Sequence, residues 1–251
     1  MAYKRLNFNQ YFIDSTEGTH NKGAEHLNFQ YVHVNAKMPV LGFIKIPIHC
    51  EYYIHYDVNR DVIQVFFQGT HGIMDWLINL LFKSNYYDAF LDEDGETLIQ
   101  LKAARGWMTM WFAMKHIIRQ KIMQIHGNHP TAEIELIGFS LGSALAQYCA
   151  QDINFNLGLQ SYVYTTGSVK AWYGDRRWNK VYLTKCCKKV YNFQYENDII
   201  TRMPPFFGYY ATNPVKIGKF EWKKAINPIA WWNPHFCYGD ANLYTEITDE
   251  A

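Results

Sequence analysis

Three things are missing from this sequence, and each closes off a class of protein. There is no C-x-x-C pair: the five cysteines are Cys50, Cys149, Cys186, Cys187 and Cys237. Without paired spacing a zinc site is not expected, and an odd, scattered set fits a reducing compartment better than a disulfide framework. There is no run of about 18 apolar residues, the length a membrane-crossing helix needs, and the first residues lack the apolar stretch of a signal peptide. There is no charge excess either. Twenty-four Lys and Arg against 23 Asp and Glu leave +1, with no visible basic patch, so nucleic acid is not an expected partner. The expectation is a cytoplasmic protein with no transmembrane segment, no metal and no other cofactor.

What is present points to a packed core. Of 251 residues, 49% are hydrophobic and only 19% charged, which excludes a disordered chain. Aromatic residues reach 17%, and rings in such number must be mostly interior or line an apolar cleft. No linker or internal repeat divides the chain, so one domain over residues 1–251 is expected. Residues 1–40 are mixed and polar and read as a wrap around the core. Residues 42–47, 51–57, 61–67, 133–138, 161–166 and 189–195 read as strands. Residues 96–126 read as mostly helical, with Leu98, Leu101, Trp107, Met110, Trp111, Met114 and Ile117 as the apolar stripe. Residues 141–152 read as a small-residue helix, and 206–251 as irregular. Strands alternating with helices predict an α/β fold with a largely parallel sheet flanked by helices.

One motif carries chemistry. Gly138-Phe139-Ser140-Leu141-Gly142 is a G-x-S-x-G sequence, entered by the apolar strand IELI and left by the helix-compatible run LGSALAQYCAQ. That setting is what a nucleophile elbow requires. The serine occupies a strained turn, and strand and helix approach so closely that side chains at the flanking positions would clash, hence two glycines. The competing interpretation is a glycine-rich turn with an inert serine.

A serine needs a base, and the base an orienting acid. In this architecture they follow the serine in the order acid, then histidine. Of the ten histidines only His235 lies beyond Ser140. Five carboxylates fall between them: Asp152, Asp175, Glu196, Asp198 and Glu221. Glu196 and Asp198 follow a strand at its carboxyl end, where sheets of this kind place their chemistry. Asp198 is preferred, with Glu196 as the alternative. The oxyanion of the tetrahedral intermediate needs two donors. One is the backbone N–H of Leu141; the best candidate for the other is Thr70, in the turn Gln68-Gly69-Thr70 after the strand VIQVFF.

Taken together, VFFQGTHGIMDWLINL, LIGFSLGSALAQ, VYTTGS, YENDIITRMPP and a late histidine resemble the class 3 lipase family, the fungal triacylglycerol lipase type, over about residues 60–240. The resemblance implies an α/β-hydrolase fold, Ser140 as nucleophile, Asp198 as acid, His235 as base, and Thr70 with Leu141 at the oxyanion hole. It also implies that 71–83 forms a lid helix over the site. Within it Ile73, Met74, Leu77, Leu80 and Leu81 make one apolar stripe, widened by Trp76 and Ile78. Trp76, Leu77 and Leu80 are the candidate contacts to acyl chains. Gln68 stands where the family has arginine, and Phe139 where histidine precedes the nucleophile. The expected activity is hydrolysis of lipid esters, with transient binding to a lipid interface. A short-chain or aromatic esterase, a phospholipase A1 and a non-catalytic interaction module are the alternatives.

Overall fold

The structure, a computed structural model, describes residues 30–40, 44–67, 84–91, 98–174, 185–219 and 238. Two sheets organise the described residues. The larger has seven strands in the order β1-β2-β3-β6-β7-β9-β11: β1 (Gln30–Val40), β2 (Ile44–Asp57), β3 (Val62–Phe67), β6 (Glu133–Phe139), β7 (Ser161–Thr166), β9 (Cys187–Gln194) and β11 (Pro214–Lys216). From β3 to β11 every pairing is parallel, and only β1 and β2 run antiparallel to their neighbours. The smaller sheet is antiparallel, in the order β10-β8-β5-β4, from β4 (Ser84–Leu91), β5 (Leu98–Ala104), β8 (Trp172–Tyr173) and β10 (Tyr209–Tyr210). The expected α/β class, a mostly parallel sheet with helices against it, is what the chain adopts.

The central strands are apolar because both faces are covered. All six residues of β3 and the last six of β6 are buried, with no alternation. Two polar residues among them are paired. Glu135 of β6 takes hydrogen bonds from Arg60 (2.6 Å) and from Gln64 Nε2 (2.8 Å). Helix α1 (Arg105–Asn128) buries Trp107, Met110, Trp111, Met114, Ile118 and Ile122, spaced three or four apart along one face. Helix α2 (Gly142–Leu157) is buried at every position from Gly142 to Ile153. It packs on β3, β6, β7 and β9 as well as on α1, so no side is left for solvent.

Five expectations need correction. Residues 98–104 are strand β5, not the start of the helix, because they pair with β4 in the smaller sheet; an apolar run this short does not distinguish the two periods. Ile117 is 40% exposed, and Ile118 takes the core position instead. Residues 42–47 and 51–57 are not two strands: Ile44–Asp57 is continuous, with Pro47 set opposite Lys37 of β1. Residues 30–40 of the anticipated wrap form β1, and 214–216 of the irregular tail extend the sheet as β11.

Candidate active site

The elbow begins at the carboxyl end of β6. Ser140 has φ of +54°, a left-handed conformation that a side chain adopts only when its surroundings hold it there. Its N–H donates to the carbonyl of Thr166 at the end of β7 (3.0 Å). Gly138 explains the flanking glycine. A methyl group on it would lie 2.6 Å from the carbonyl carbon of Gly142 and 2.7 Å from Cα of Ser143, inside the entry to α2. Strand and helix approach so closely that only hydrogen fits.

Ser143 holds the other side of the turn. Its N–H donates to the Ser140 carbonyl (3.1 Å), and its hydroxyl donates to the same oxygen. In a trans peptide the carbonyl and N–H point in opposite directions. Fixing the Ser140 carbonyl therefore fixes where the Leu141 N–H points, and among the described residues that N–H has no acceptor. It sits at the N-terminus of α2, whose aligned peptide dipoles favour negative charge. A donor held ready in such a place suits a developing oxyanion.

Behind the elbow lies a buried polar network. Ser143 Oγ is 2.8 Å from Ser168 Oγ. Gln147 donates to the Ser143 carbonyl (3.2 Å) and accepts from Trp172 Nε1 (3.0 Å) and Thr212 Oγ1 (2.8 Å). These bonds tie α2 to the segments after β7 and before β11.

Asp198 lies beyond β9, two strands from Ser140 across adjacent parallel strands. Two strand spacings are about 10 Å. Asp198 is 1% exposed, whereas Glu196 points to solvent. The Asp198 carboxylate is already oriented. Oδ1 accepts the Ile200 N–H (2.9 Å) and Oδ2 accepts the Tyr238 hydroxyl (2.8 Å), which in turn accepts the Tyr195 N–H (2.9 Å). The Tyr238 ring also packs against Tyr195 and Phe139, centroids 4.8 and 6.3 Å away.

His235, Thr70 and the segment 71–83 with Trp76, Leu77 and Leu80 lie outside the described residues. Of the sequence-derived site, Ser140, Leu141 and Asp198 are therefore placed, all at the carboxyl edge of the parallel strands. Tyr238 was not foreseen. Its hydroxyl joins the chain at 238 to the loop that carries Asp198. In the sequence, Ser143 is marked only as part of the small-residue run 141–152.

A family model for class 3 lipases matches residues 64–208, more than half of the chain and all of the elbow and acid loop. The chain belongs to the class 3 lipase family. Membership makes it a serine ester hydrolase. Its fold is similar to that of a triacylglycerol lipase described as having a serine protease triad at its catalytic centre (18% identity, TM-score 0.63, 84% of this chain and 78% of that one). It is also similar to the Rhizomucor miehei triacylglyceride lipase (16%, 0.59, 84% and 78%) and to a fungal lipase solved with an inhibitor as a model for interfacial activation (17%, 0.61, 83% and 77%). At these identities the likeness is one of fold. Among the described residues of this class 3 lipase, no helix is long and apolar enough to cross a membrane.

Proposed function

We propose that this class 3 lipase hydrolyses the carboxylic esters of lipids through Ser140, His235 and Asp198. The observation that carries the reading is the elbow. Ser140 is held at positive φ at the head of a buried helix, with the Leu141 N–H turned away from the clamped carbonyl. His235 removes the proton from Ser140 as Oγ bonds to the ester carbonyl carbon. The oxyanion accepts from Leu141 and, in this reading, from Thr70. The imidazolium, steadied by Asp198, passes its proton to the alcohol oxygen as the C–O bond breaks. Water, deprotonated by the same histidine, then cleaves the acyl-enzyme, releasing the acid and restoring the serine.

Segment 71–83 follows directly on the Thr70 turn and serves as a lid, offering Trp76, Leu77 and Leu80 to the acyl chain. Its dense apolar face favours long acyl chains over small polar esters. Labelling with a fluorophosphonate tests the nucleophile: the parent is labelled and Ser140→Ala is not. Rates over esters from acetate to long-chain acyl test the substrate. A rise with chain length, sharpened by emulsification and lost selectively in Trp76→Ser, supports a lipid hydrolase. Equal rates throughout the panel would favour a short-chain esterase.

A further inference from the structure

Helices α1 and α2 leave a cleft between them, remote from the elbow. Phe112, Lys115 and Arg119 of α1 and Asp152, Phe155 and Asn156 of α2 line a space of about 230 Å³. Spacings of three and four residues bring each trio to one side of its helix. Asp152 lies ten residues beyond Gly142, about 15 Å along the axis of α2 from the elbow. Pockets for drug-sized ligands enclose about 300–1,000 Å³, so this one suits a single small ring.

A buried carboxylate forms its floor. Asp152 is 4% exposed. Its Oδ1 accepts from Arg119 Nη1 and Asn156 Nδ2, both at 3.1 Å, and Oδ2 accepts no hydrogen bond among the described residues. Nor is Oδ2 sealed away. Among the described residues the sealed side-chain oxygens without a partner are those of Tyr52, Ser161, Thr166 and Tyr210, so Asp152 Oδ2 opens onto the cleft. A carboxylate oxygen in so enclosed a place calls for a donor.

The groups around it have mixed polarity. Arg119 commits Nη2 to His116 Nδ1 (2.9 Å), and Asn156 Nδ2 also donates to the Asp152 carbonyl (3.0 Å), which leaves Asn156 its Oδ1 as an acceptor. Lys115 Nζ lies 4.6 Å from the centroid of the Phe112 ring and forms no ion pair among the described residues. The cleft therefore offers acceptors at Asp152 and Asn156, a donor at Lys115, and apolar walls at Phe112 and Phe155, which are 40% and 56% exposed. An anion would meet Asp152, and a cation would meet Lys115 and Arg119. A neutral ligand whose polar groups both donate and accept avoids both penalties, and the hydroxyl is such a group.

We propose that this cleft binds a cyclic polyol, a pyranose sugar or an inositol. Neighbouring hydroxyls donate to Asp152 Oδ2 and Asn156 Oδ1 and accept from Lys115 Nζ, while the C–H face of the ring lies against the aromatic walls. The site is separate from Ser140, and the inference does not depend on ester hydrolysis.

Saturation-transfer NMR on the full-length protein tests it, with glucose, myo-inositol and cyclohexanol as probes. Glucose, myo-inositol or both should bind saturably with a Kd in the millimolar range, as a ligand of about a dozen non-hydrogen atoms does. Cyclohexanol, with one hydroxyl, should bind at least about ten-fold more weakly. Lys115→Met should weaken polyol binding about ten-fold and Phe155→Ala about five-fold or more, with unchanged circular dichroism and melting. Asp152→Asn should be at least as severe as Lys115→Met; because it also breaks the pair with Arg119, the other two variants decide the matter if it fails to fold. No saturable binding of either polyol, or equal binding of cyclohexanol, would overturn the proposal. So would full binding by both Lys115→Met and Phe155→Ala, which would put the polyol elsewhere on the protein. Hydrolysis is not read, so these outcomes are the same whether or not Ser140 is a working nucleophile.

Discussion

The hydroxyl of Tyr238 donates to Oδ2 of Asp198 over 2.8 Å, joining residues 40 positions apart in the chain. The same hydroxyl accepts the Tyr195 N–H, so both of its hydrogen-bonding roles serve the acid loop. Asp198 is thus oriented by Ile200 N–H and by Tyr238, which ties residue 238 to the loop after β9.

Asp198→Asn is expected to lower turnover about 10⁴-fold, because an amide favours the wrong imidazole tautomer. Glu196→Gln should leave the rate near that of the parent, since the Glu196 side chain is exposed. Steady-state kinetics on a soluble ester decide it: a crippled Glu196→Gln beside an active Asp198→Asn would reassign the acid.

Tyr238→Phe keeps the ring packing against Tyr195 and removes one donor from a buried carboxylate. A hydrogen bond to a charged group contributes about 1.5–3 kcal/mol, so turnover should fall about ten-fold or more and the denaturation midpoint should drop. A parental rate and midpoint would mean that the ring alone matters.

Ser143→Ala removes the hydroxyl donor to the Ser140 carbonyl but keeps the backbone one. The peptide that carries the Leu141 N–H is then less firmly aimed. Turnover should fall about ten-fold while KM stays constant, because an oxyanion donor acts on the transition state rather than on bound substrate. Ser143→Thr should recover part of the loss. A change confined to KM would contradict this role.

The elbow was legible because its constraint is local. Two glycines, an apolar strand before them and a small-residue helix after them leave little choice of backbone, and Gly138 and Ser140 adopt what that pattern requires. That Asp198 follows the carboxyl end of a strand was legible from the apolar run before it. Residues 98–104 were not, because what makes them a strand is pairing with β4, and a run of seven residues carries no record of its partner. Tyr238 was illegible for the same reason. Nothing near it in sequence shows that its hydroxyl meets an acid 40 residues earlier. Ser143 looked like a packing residue because only the folded turn brings its hydroxyl to the Ser140 carbonyl.

Asp152 gives a pH prediction. It is 4% exposed and paired with Arg119 at 3.1 Å. Burial raises its pKa despite the opposing effects of Arg119, Lys115, Asn156 and His116. The native state therefore holds this proton more tightly than the unfolded chain does. The resulting stability is fully present below the unfolded value of about 3.9 and is lost as pH rises through the folded one. Relative to Asp152→Asn, the parent should lose stability between acid and neutral pH, as read from urea midpoints. A parent that gains on the variant over that range would show the Arg119 pair outweighing the burial.

Ser140 at φ +54° places folding and chemistry in opposition at a single atom. A residue with a Cβ in that conformation gives up about 1 kcal/mol that glycine would keep. Selection for durability alone would move this position toward glycine. A library of this enzyme ranked by heat resistance should therefore enrich inactive sequences at residue 140, and thermostable variants need an activity screen at every round rather than only at the end.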